Sequence, residues 1–255
     1  MIKVGIIGGS GMDDPGLLKN KKEVSVRTPY GAPSSKLATG KIEGVEVAIL
    51  ARHGRDHSIF PTVVNYRANI AALKKAGCTH IIATTAVGSL RAKIKPGHIV
   101  FPDQFIDWTR HRVVTFHDKK GNVVHTPMAD PFCSDLRAIL TRTAKKLKLK
   151  HHSGGTVVTI EGPRFSTRAE SHMFRSLGAD IINMSTVPEA PLAREAGICY
   201  QAVAMSTDYD CWKVDEEPVT WEMIVETMTR NADNVKKLIV SAMAQIGKGC
   251  KDCGG

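Results

Sequence analysis

The sequence predicts a single α/β domain, and two observations carry that prediction. Short apolar runs rich in β-branched residues recur along all 255 residues, each ending in a polar or glycine-rich turn, and they alternate with segments of helical periodicity. The chain is 42% hydrophobic, with no low-complexity run, internal repeat or shift in composition, so it buries its core as one unit. One domain over residues 1–255 is expected, with about 247–255 as a mobile tail.

The first strand is Lys3-Val-Gly-Ile-Ile-Gly-Gly-Ser-Gly11, an apolar run that breaks into glycines. Such a loop can turn its backbone N–H groups toward an anion, with the Ser10 hydroxyl as a further donor; the other reading is a tight turn with no ligand. It is not the dinucleotide fingerprint, because the frame beginning at Gly9 meets Asp14 where the third glycine belongs, and no Gly-Lys-Ser/Thr makes it a P-loop. Next, Lys36 to Ile42 and Val45 to Ala51 read as a hairpin turned at Glu43-Gly44. That hairpin delivers Arg52-His-Gly-Arg-Asp-His57 to a strand end, where the Arg52 fork suits phosphate oxygens and His53 adds a donor, or where the pair is simply a surface ion pair. Thr62 is expected to cap a helix to about Ala76, closed by Gly77, with Val64, Ala68, Ala71 and Leu73 turned inward. The strand His80 to Ser89 ends in Thr84-Thr-Ala-Val-Gly-Ser-Leu90, a third terminus of small and hydroxyl-bearing residues. Three such ends can converge on one tetrahedral oxyanion.

The net charge of +10 raises the question of a nucleic-acid partner. Lys and Arg are spread along the chain, and the densest clusters, Lys19 to Lys22 and Lys145 to Lys150, lack the aromatic platform that single strands stack on. They read as solvated faces, which argues against nucleic acid and leaves a small anionic substrate, with a basic nucleic-acid-binding module as the other reading of the charge. No apolar run reaches the roughly 18 residues of a membrane span, and a strand beginning at residue 3 leaves no room for a signal peptide, so a soluble cytoplasmic protein is expected. Of six cysteines, only Cys250-Lys-Asp-Cys253 has redox-like or metal-like spacing; with no second ligand pair it is a frayed tail of free thiols or a disulfide.

Farther along, Phe101 to Asp107 reads as a strand leaving the sheet. A polar excursion over 108–125 comes next, whose His111, His117 and His125 match no compact metal motif. Ser134 is expected to cap a helix through Lys146, packed by Leu136, Ile139 and Leu140. Gly155 to Ile160, Ala179 to Met184 and Cys199 to Met205 read as strands, and Arg168 to Leu177, Ala190 to Ala196 and Trp221 to Ile246 as helices, the last with Ile224, Met228, Val235, Leu238 and Ile239 in one stripe.

Six stretches in register, Gly5 to Gly11, Ala51 to Arg55, Thr84 to Ala86, Glu161-Gly-Pro-Arg-Phe-Ser166, Asn183-Met-Ser-Thr-Val-Pro-Glu189 and Ser206-Thr-Asp-Tyr-Asp-Cys-Trp212, resemble the methylthioadenosine phosphorylases of the trimeric purine nucleoside phosphorylase family, over nearly the whole chain. The resemblance implies a twisted mixed sheet wrapped by helices. It also implies phosphorolysis, in which inorganic phosphate displaces adenine from methylthioadenosine to leave 5-methylthioribose 1-phosphate, in purine and methionine salvage. Phosphate would be held by Ser10, Arg52, His53, Thr85, Ala86 and Ser185, and the nucleoside by Phe165, Ser166, Met184, Asp208 and Asp210. Val219, Trp221, Ile224 and Val225 would wall the 5′ pocket, and His125 would reach a neighbouring subunit's site in a homotrimer or a dimer of trimers. No organic cofactor and no metal is implied, phosphate being a co-substrate. The chain departs from the family at Ser185, where Thr is commoner, and at Trp221, where a smaller aliphatic is usual.

The residues themselves suit the chemistry. Phe165 can stack on a purine while Ser166 hydrogen-bonds it, although Gly-Pro can also be a plain turn with Phe165 as an anchor. Met184 offers a flexible thioether to a ribose face. A purine leaves poorly as an anion, so a shielded carboxyl at Asp208, supported by Asp210, could supply or hold a proton at N7. Phosphate on the opposite side would be both nucleophile and stabiliser of the cationic sugar. Rival activities are a phosphorylase for adenosine or for 6-oxopurine nucleosides (inosine, guanosine, methylthioinosine), a nucleosidase that uses water, and a nicotinamide-dependent dehydrogenase.

Overall fold

The computed structural model describes residues 2–8, 15–215 and 220–249. Its sheet gathers on β5 (His80–Ser89), which has β1 (Lys3–Gly8) parallel on one side and β11 (Cys199–Asp208) parallel on the other. Strands covered on both faces lose the alternation of a half-exposed strand, which is why Ile6, Ile7, Ile81, Ile82, Ala202 and Val203 are all buried side by side. The two faces are nonetheless distinct. Ile6, Ile82 and Val203 pack on α2 (Ser134–Lys146) and α5 (Trp221–Ile246), whereas Ile7, Ile81 and Ala202 pack on α1 (Tyr66–Lys75) and α4 (Thr186–Glu195).

Outside β1 lie β4 (Val45–Ala51), β3 (Leu37–Ile42) and β2 (Lys19–Val24), in that order. The expected hairpin between β3 and β4 turns at Glu43 and Gly44, both left-handed with φ of 49° and 81°, the geometry that matches the strands' own twist. The Lys19 to Lys22 cluster is an exposed edge strand, antiparallel to β3, whose lysines discourage pairing with another chain.

At its far end β5 is shared. Gly88 pairs with Asp208 of β11 and with Ile182 of β10 (Ile181–Asn183), which runs antiparallel to β5 and leads on to β9 (Thr156–Ile160) and β7 (Gln104–Trp108). β11 instead continues to β6 (Ile99–Val100) and β8 (His151–His152). The sheet therefore forks at the end of β5, and the fork leaves a cleft among strand ends.

Several expectations need correction. Phe101 to Asp107 does not leave the sheet: β7 pairs in parallel with β9 through Trp108. Thr62 caps no helix, because Pro61–Val63 is a short 3-10 turn and Asn65, whose side chain accepts from the Ala68 N–H at 3.1 Å, starts α1. Ala71, expected to face the core, is only half-buried, while Ile70 and Ala72 are fully buried. Cys133 rather than Ser134 caps α2, its sulfur accepting from Leu136 N–H at 3.3 Å. The element expected from Ala190 begins at Thr186, with a non-helical residue at Val187. Residues 247–249 close α5 with turn hydrogen bonds, while Cys250 and Cys253 lie outside the described residues. No described helix is long and apolar enough to cross a membrane.

Candidate active site

A cavity of about 350 Å³ occupies the cleft, lined by residues from the ends of β4, β5, β9, β10 and β11. The loop after β4 brings Arg52 and His53, the middle of β5 Thr85 and Ala86, and the end of β10 Met184 and Ser185. Phe165 and Ser166 come from the β9–α3 loop, α3 spanning Arg168–Ser176, and β11 supplies Asp208, with Asp210 just beyond it. Eleven residues expected at the site thus meet in one cavity: those ten and Ile224 from the first turn of α5.

Other expectations are not met or fall outside. Val225 is 37% exposed and does not line the cavity, since one step along α5 rotates the side chain by about 100° away from Ile224. His125 is exposed in the excursion and away from this chain's cavity; its expected place is a neighbouring subunit's site. Ser10 and Val219 lie outside the described residues, as does the Trp221 side chain. His111, His117 and His125 do not gather, and no described group of His, Cys, Asp and Glu is arranged to hold a metal ion.

Arg52 is not the exposed ion pair that its sequence neighbourhood permits. Its side chain is 2% exposed and grips the fully buried Glu189 through Nε to Oε1 at 2.5 Å and Nη2 to Oε2 at 3.0 Å, while Nη1 donates to the Thr84 carbonyl at 2.9 Å. Burial acts to lower the Arg52 pKa, but the Glu189 carboxylate outweighs it and raises the net value, so the cation is permanent. Tyr200 donates to Glu189 Oε2 at 2.9 Å and completes the anchor. A guanidinium has five N–H groups, so among the described contacts one N–H on each terminal nitrogen remains for the cavity.

Beside it, Thr85 Oγ1 and Ser185 Oγ lie 2.8 Å apart, and Asn183 Nδ2 donates to Thr85 Oγ1 at 3.2 Å and to Thr186 Oγ1 at 2.7 Å. His53 corrects its expected role. Its Nδ1 is 2.8 Å from the Ile59 carbonyl, which only accepts, so Nδ1 carries the proton. Burial and then the Arg52 cation push its pKa down to about 4, which leaves Nε2 an acceptor rather than a further donor at neutral pH.

The residues at the Asp208 end have a different character. Register shifts between Ser206 and Asp208 on β11, and this bulge turns the Asp208 side chain into the cavity next to Gly88. A Cβ at position 88 would meet Asp208 Oδ1 and Ile182 Cγ2, each at 3.0 Å, so glycine is what lets three strands meet there. Asp208 Oδ2 accepts from Thr207 Oγ1 and Oδ1 from the Asp210 N–H, both at 2.7 Å. Burial raises the Asp208 carboxyl to about 6 even against these hydrogen bonds, and the Asp210 charge adds to the rise. Ser166 Oγ donates to Asp210 Oδ1 at 2.6 Å, whereas buried Asp210 Oδ2 has no partner among the described residues. Phe165 covers this end and is 43% exposed.

Glu189 is visible in the sequence as one charge inside an apolar Val-Pro-Glu-Ala-Pro-Leu run, yet nothing local joins it to Arg52, 137 positions away. His57, Asn183 and Gly88 also line the cavity beyond the expected set.

Residues 3–244 match the model of the phosphorylase superfamily. S-methyl-5′-thioadenosine phosphorylase of Danio rerio is 56% identical over 249 residues, covering 96% of this chain and 89% of that one. Methylthioadenosine phosphorylase from Schistosoma mansoni in complex with adenine superposes with a TM-score of 0.94 at 44% identity, covering 98% of this chain and 93% of that chain. A point variant described as adenosine/methylthioadenosine phosphorylase from the same organism, in complex with methylthioadenosine, does so with a TM-score of 0.93 at 43% identity and the same coverage.

Proposed function

The chain belongs to the phosphorylase superfamily and, within it, to the S-methyl-5′-thioadenosine phosphorylases, and from that premise we propose that it is a pentosyltransferase that phosphorolyses methylthioadenosine to adenine and 5-methylthioribose 1-phosphate. These products feed purine and methionine salvage. One observation carries the reading: a cationic, hydroxyl-lined recess and a buried carboxylate open into the same cavity, set apart along one strand. Thr85 and Gly88 are three residues apart on β5, about 10 Å of strand, with the recess at the first and Asp208 at the second.

Phosphate occupies the recess, receiving hydrogen bonds from the remaining Arg52 N–H groups and from the Thr85 and Ser185 hydroxyls, with the Ala86 backbone beside it. The neutral His53 accepts at Nε2, so it takes a hydrogen bond from a protonated phosphate oxygen. Met184 lies along the sugar, and Phe165 stacks on the purine. A phosphate oxygen bonds to C1′ as the bond from C1′ to N9 breaks and its electron pair passes to the purine, while the Asp208 proton goes to N7. Asp210, oriented by Ser166, accepts from the 6-amino edge. The chemistry needs no organic cofactor or metal, because phosphate itself supplies the nucleophile and the charge that offsets the cationic sugar.

The working form is read as a homotrimer with shared sites, in the cytoplasm. Val113, Val114, Val123 and Val124 are exposed in the same excursion as His125, and a second copy would cover them. The described cysteines, Cys78, Cys133, Cys199 and Cys211, form no disulfide with one another, which suits a reducing compartment. A fully active monomer in sedimentation at assay concentration would remove the shared-site reading.

Product analysis with methylthioadenosine, adenosine and inosine, each with and without phosphate, tests the activity. Adenine release that requires phosphate is expected, with inosine poor. Equal release in phosphate-free buffer would make the protein a nucleosidase.

A further inference from the structure

Arg112 sits in the irregular segment after β7, among polar residues, and does not line the cavity. Its guanidinium is nevertheless completely buried. Nε donates to Glu161 Oε1 at 3.1 Å, and Nη2 donates to the carbonyls of Glu161 at 2.6 Å and Ile160 at 3.3 Å. Nη1 donates to the carbonyls of Val187 at 2.6 Å and Met184 at 2.7 Å, and to Tyr66 Oη at 3.1 Å. Glu161 returns the grip, its Oε2 accepting from the N–H groups of Arg110 at 2.6 Å and His111 at 2.9 Å.

Four of these partners are main-chain carbonyls, and they belong to segments that do different work. Ile160 ends β9 and Glu161 follows it, leading to Phe165 and Ser166, the base side of the cavity. The Met184 carbonyl precedes Ser185 in the anion recess, and the Val187 carbonyl lies two residues before Glu189, which holds Arg52. A rigid planar fork fixes directions as well as distances, in a way that a lysine cannot.

We propose that Arg112 is a positioning residue that sets the distance between the base-binding and phosphate-binding sides of the cavity by tying their carbonyls to one guanidinium. The proposal rests on the phosphorolysis reading above. It predicts a separation of binding from turnover, because each side keeps its own donors while their mutual placement loosens, and a displacement of about 1 Å in a reacting pair costs on the order of a hundredfold in rate.

The test is Arg112→Lys, which keeps the charge, compared with the unmodified enzyme in two measurements: calorimetric binding of adenine alone and of inorganic phosphate alone, and steady-state turnover of methylthioadenosine. We expect each binding constant to hold within about threefold while kcat falls by about a hundredfold. Adenine or phosphate affinity falling in step with kcat would overturn the proposal in favour of general loosening, and so would an unchanged kcat. Should Arg112→Lys fail to fold, Glu161→Gln carries the test, with kcat lowered by about tenfold and adenine binding retained, and with unchanged kcat as the overturning result. An unmodified enzyme that releases adenine without phosphate would defeat the phosphorolysis reading instead, and the two failures are told apart by that control.

Discussion

The two sides of the cavity handle charge in opposite ways. At the Arg52 side the charge is permanent and already matched: Arg52 is locked to Glu189, and among the described contacts one N–H on each terminal nitrogen is left over. At the other end Asp208 is a carboxylate held where burial makes its charge costly, with a pKa pushed up to about 6. A binding site for a constant ion can be built from saturated partners. A group that must give up a proton has to be kept ill at ease in one of its two forms.

The largest effect that separates the sides is expected at Arg52. Arg52→Ala leaves the fully buried Glu189 carboxylate without its counter-charge, and breaking such a pair costs about 3 to 5 kcal/mol of stability. Glu189→Gln in the same chain should recover much of that loss in urea denaturation but none of the phosphate affinity, whose apparent requirement rises by roughly a hundredfold in both. Recovery of phosphate affinity in the double variant would mean that Glu189, not Arg52, sets the recess.

Asp208→Asn should behave in the reverse manner, losing rate while gaining stability. Turnover of methylthioadenosine falls by about a hundredfold or more, and inosine gains relative to it. A carboxyl whose folded pKa lies above its unfolded value binds protons more tightly when folded, so the unmodified protein loses stability as pH rises from about 4 through about 6. Above that window the asparagine variant should be more stable by about 2 kcal/mol, and below it the difference should vanish. Thermal melts across the window check the sign, and a variant less stable at every pH would refute the assigned direction.

A smaller effect is expected in the pH profile of the unmodified enzyme. If Asp208 supplies the proton, kcat/KM should fall tenfold per unit above pH about 6, and that limb should be absent in Asp208→Asn. The smallest change is Ser166→Ala, which removes one hydrogen bond to Asp210 at the cost of about 1 kcal/mol in kcat/KM and no change in phosphate KM.

The features legible in the sequence are local ones. The β3–β4 hairpin and the bounds of α5 come from turn chemistry and a 3.6-residue stripe, both contained in a few consecutive residues. The strand-end residues are also readable, because small, hydroxyl-bearing and charged residues at the ends of apolar runs have few other uses. Their partners are not. Glu189 and Arg112 act across long sequence separations, and nothing in a polar loop such as 109–116 distinguishes a buried guanidinium from a solvated one. Thr62 misleads because two good caps lie three positions apart, and only the path from Pro61 decides for Asn65. His53 reads as a donor in the sequence because its tautomer depends on the carbonyl of Ile59, six residues on, which the turn after β4 folds back onto Nδ1.

The bulge on β11 has a consequence for how this site can change. Side chains along a strand alternate, so the extra residue between Ser206 and Asp208 inverts the parity of the residues after it. Which face the Asp208 carboxylate occupies is therefore decided by counting rather than by chemistry. No point substitution within β11 relocates it, and deletion of Thr207 alone would remove the bulge yet leave Asp208 one step after Ser206, opposite Gly88 and on the same face. New specificities can arise here by exchanging side chains, but the place of the Asp208 carboxylate is protected by its register against Gly88.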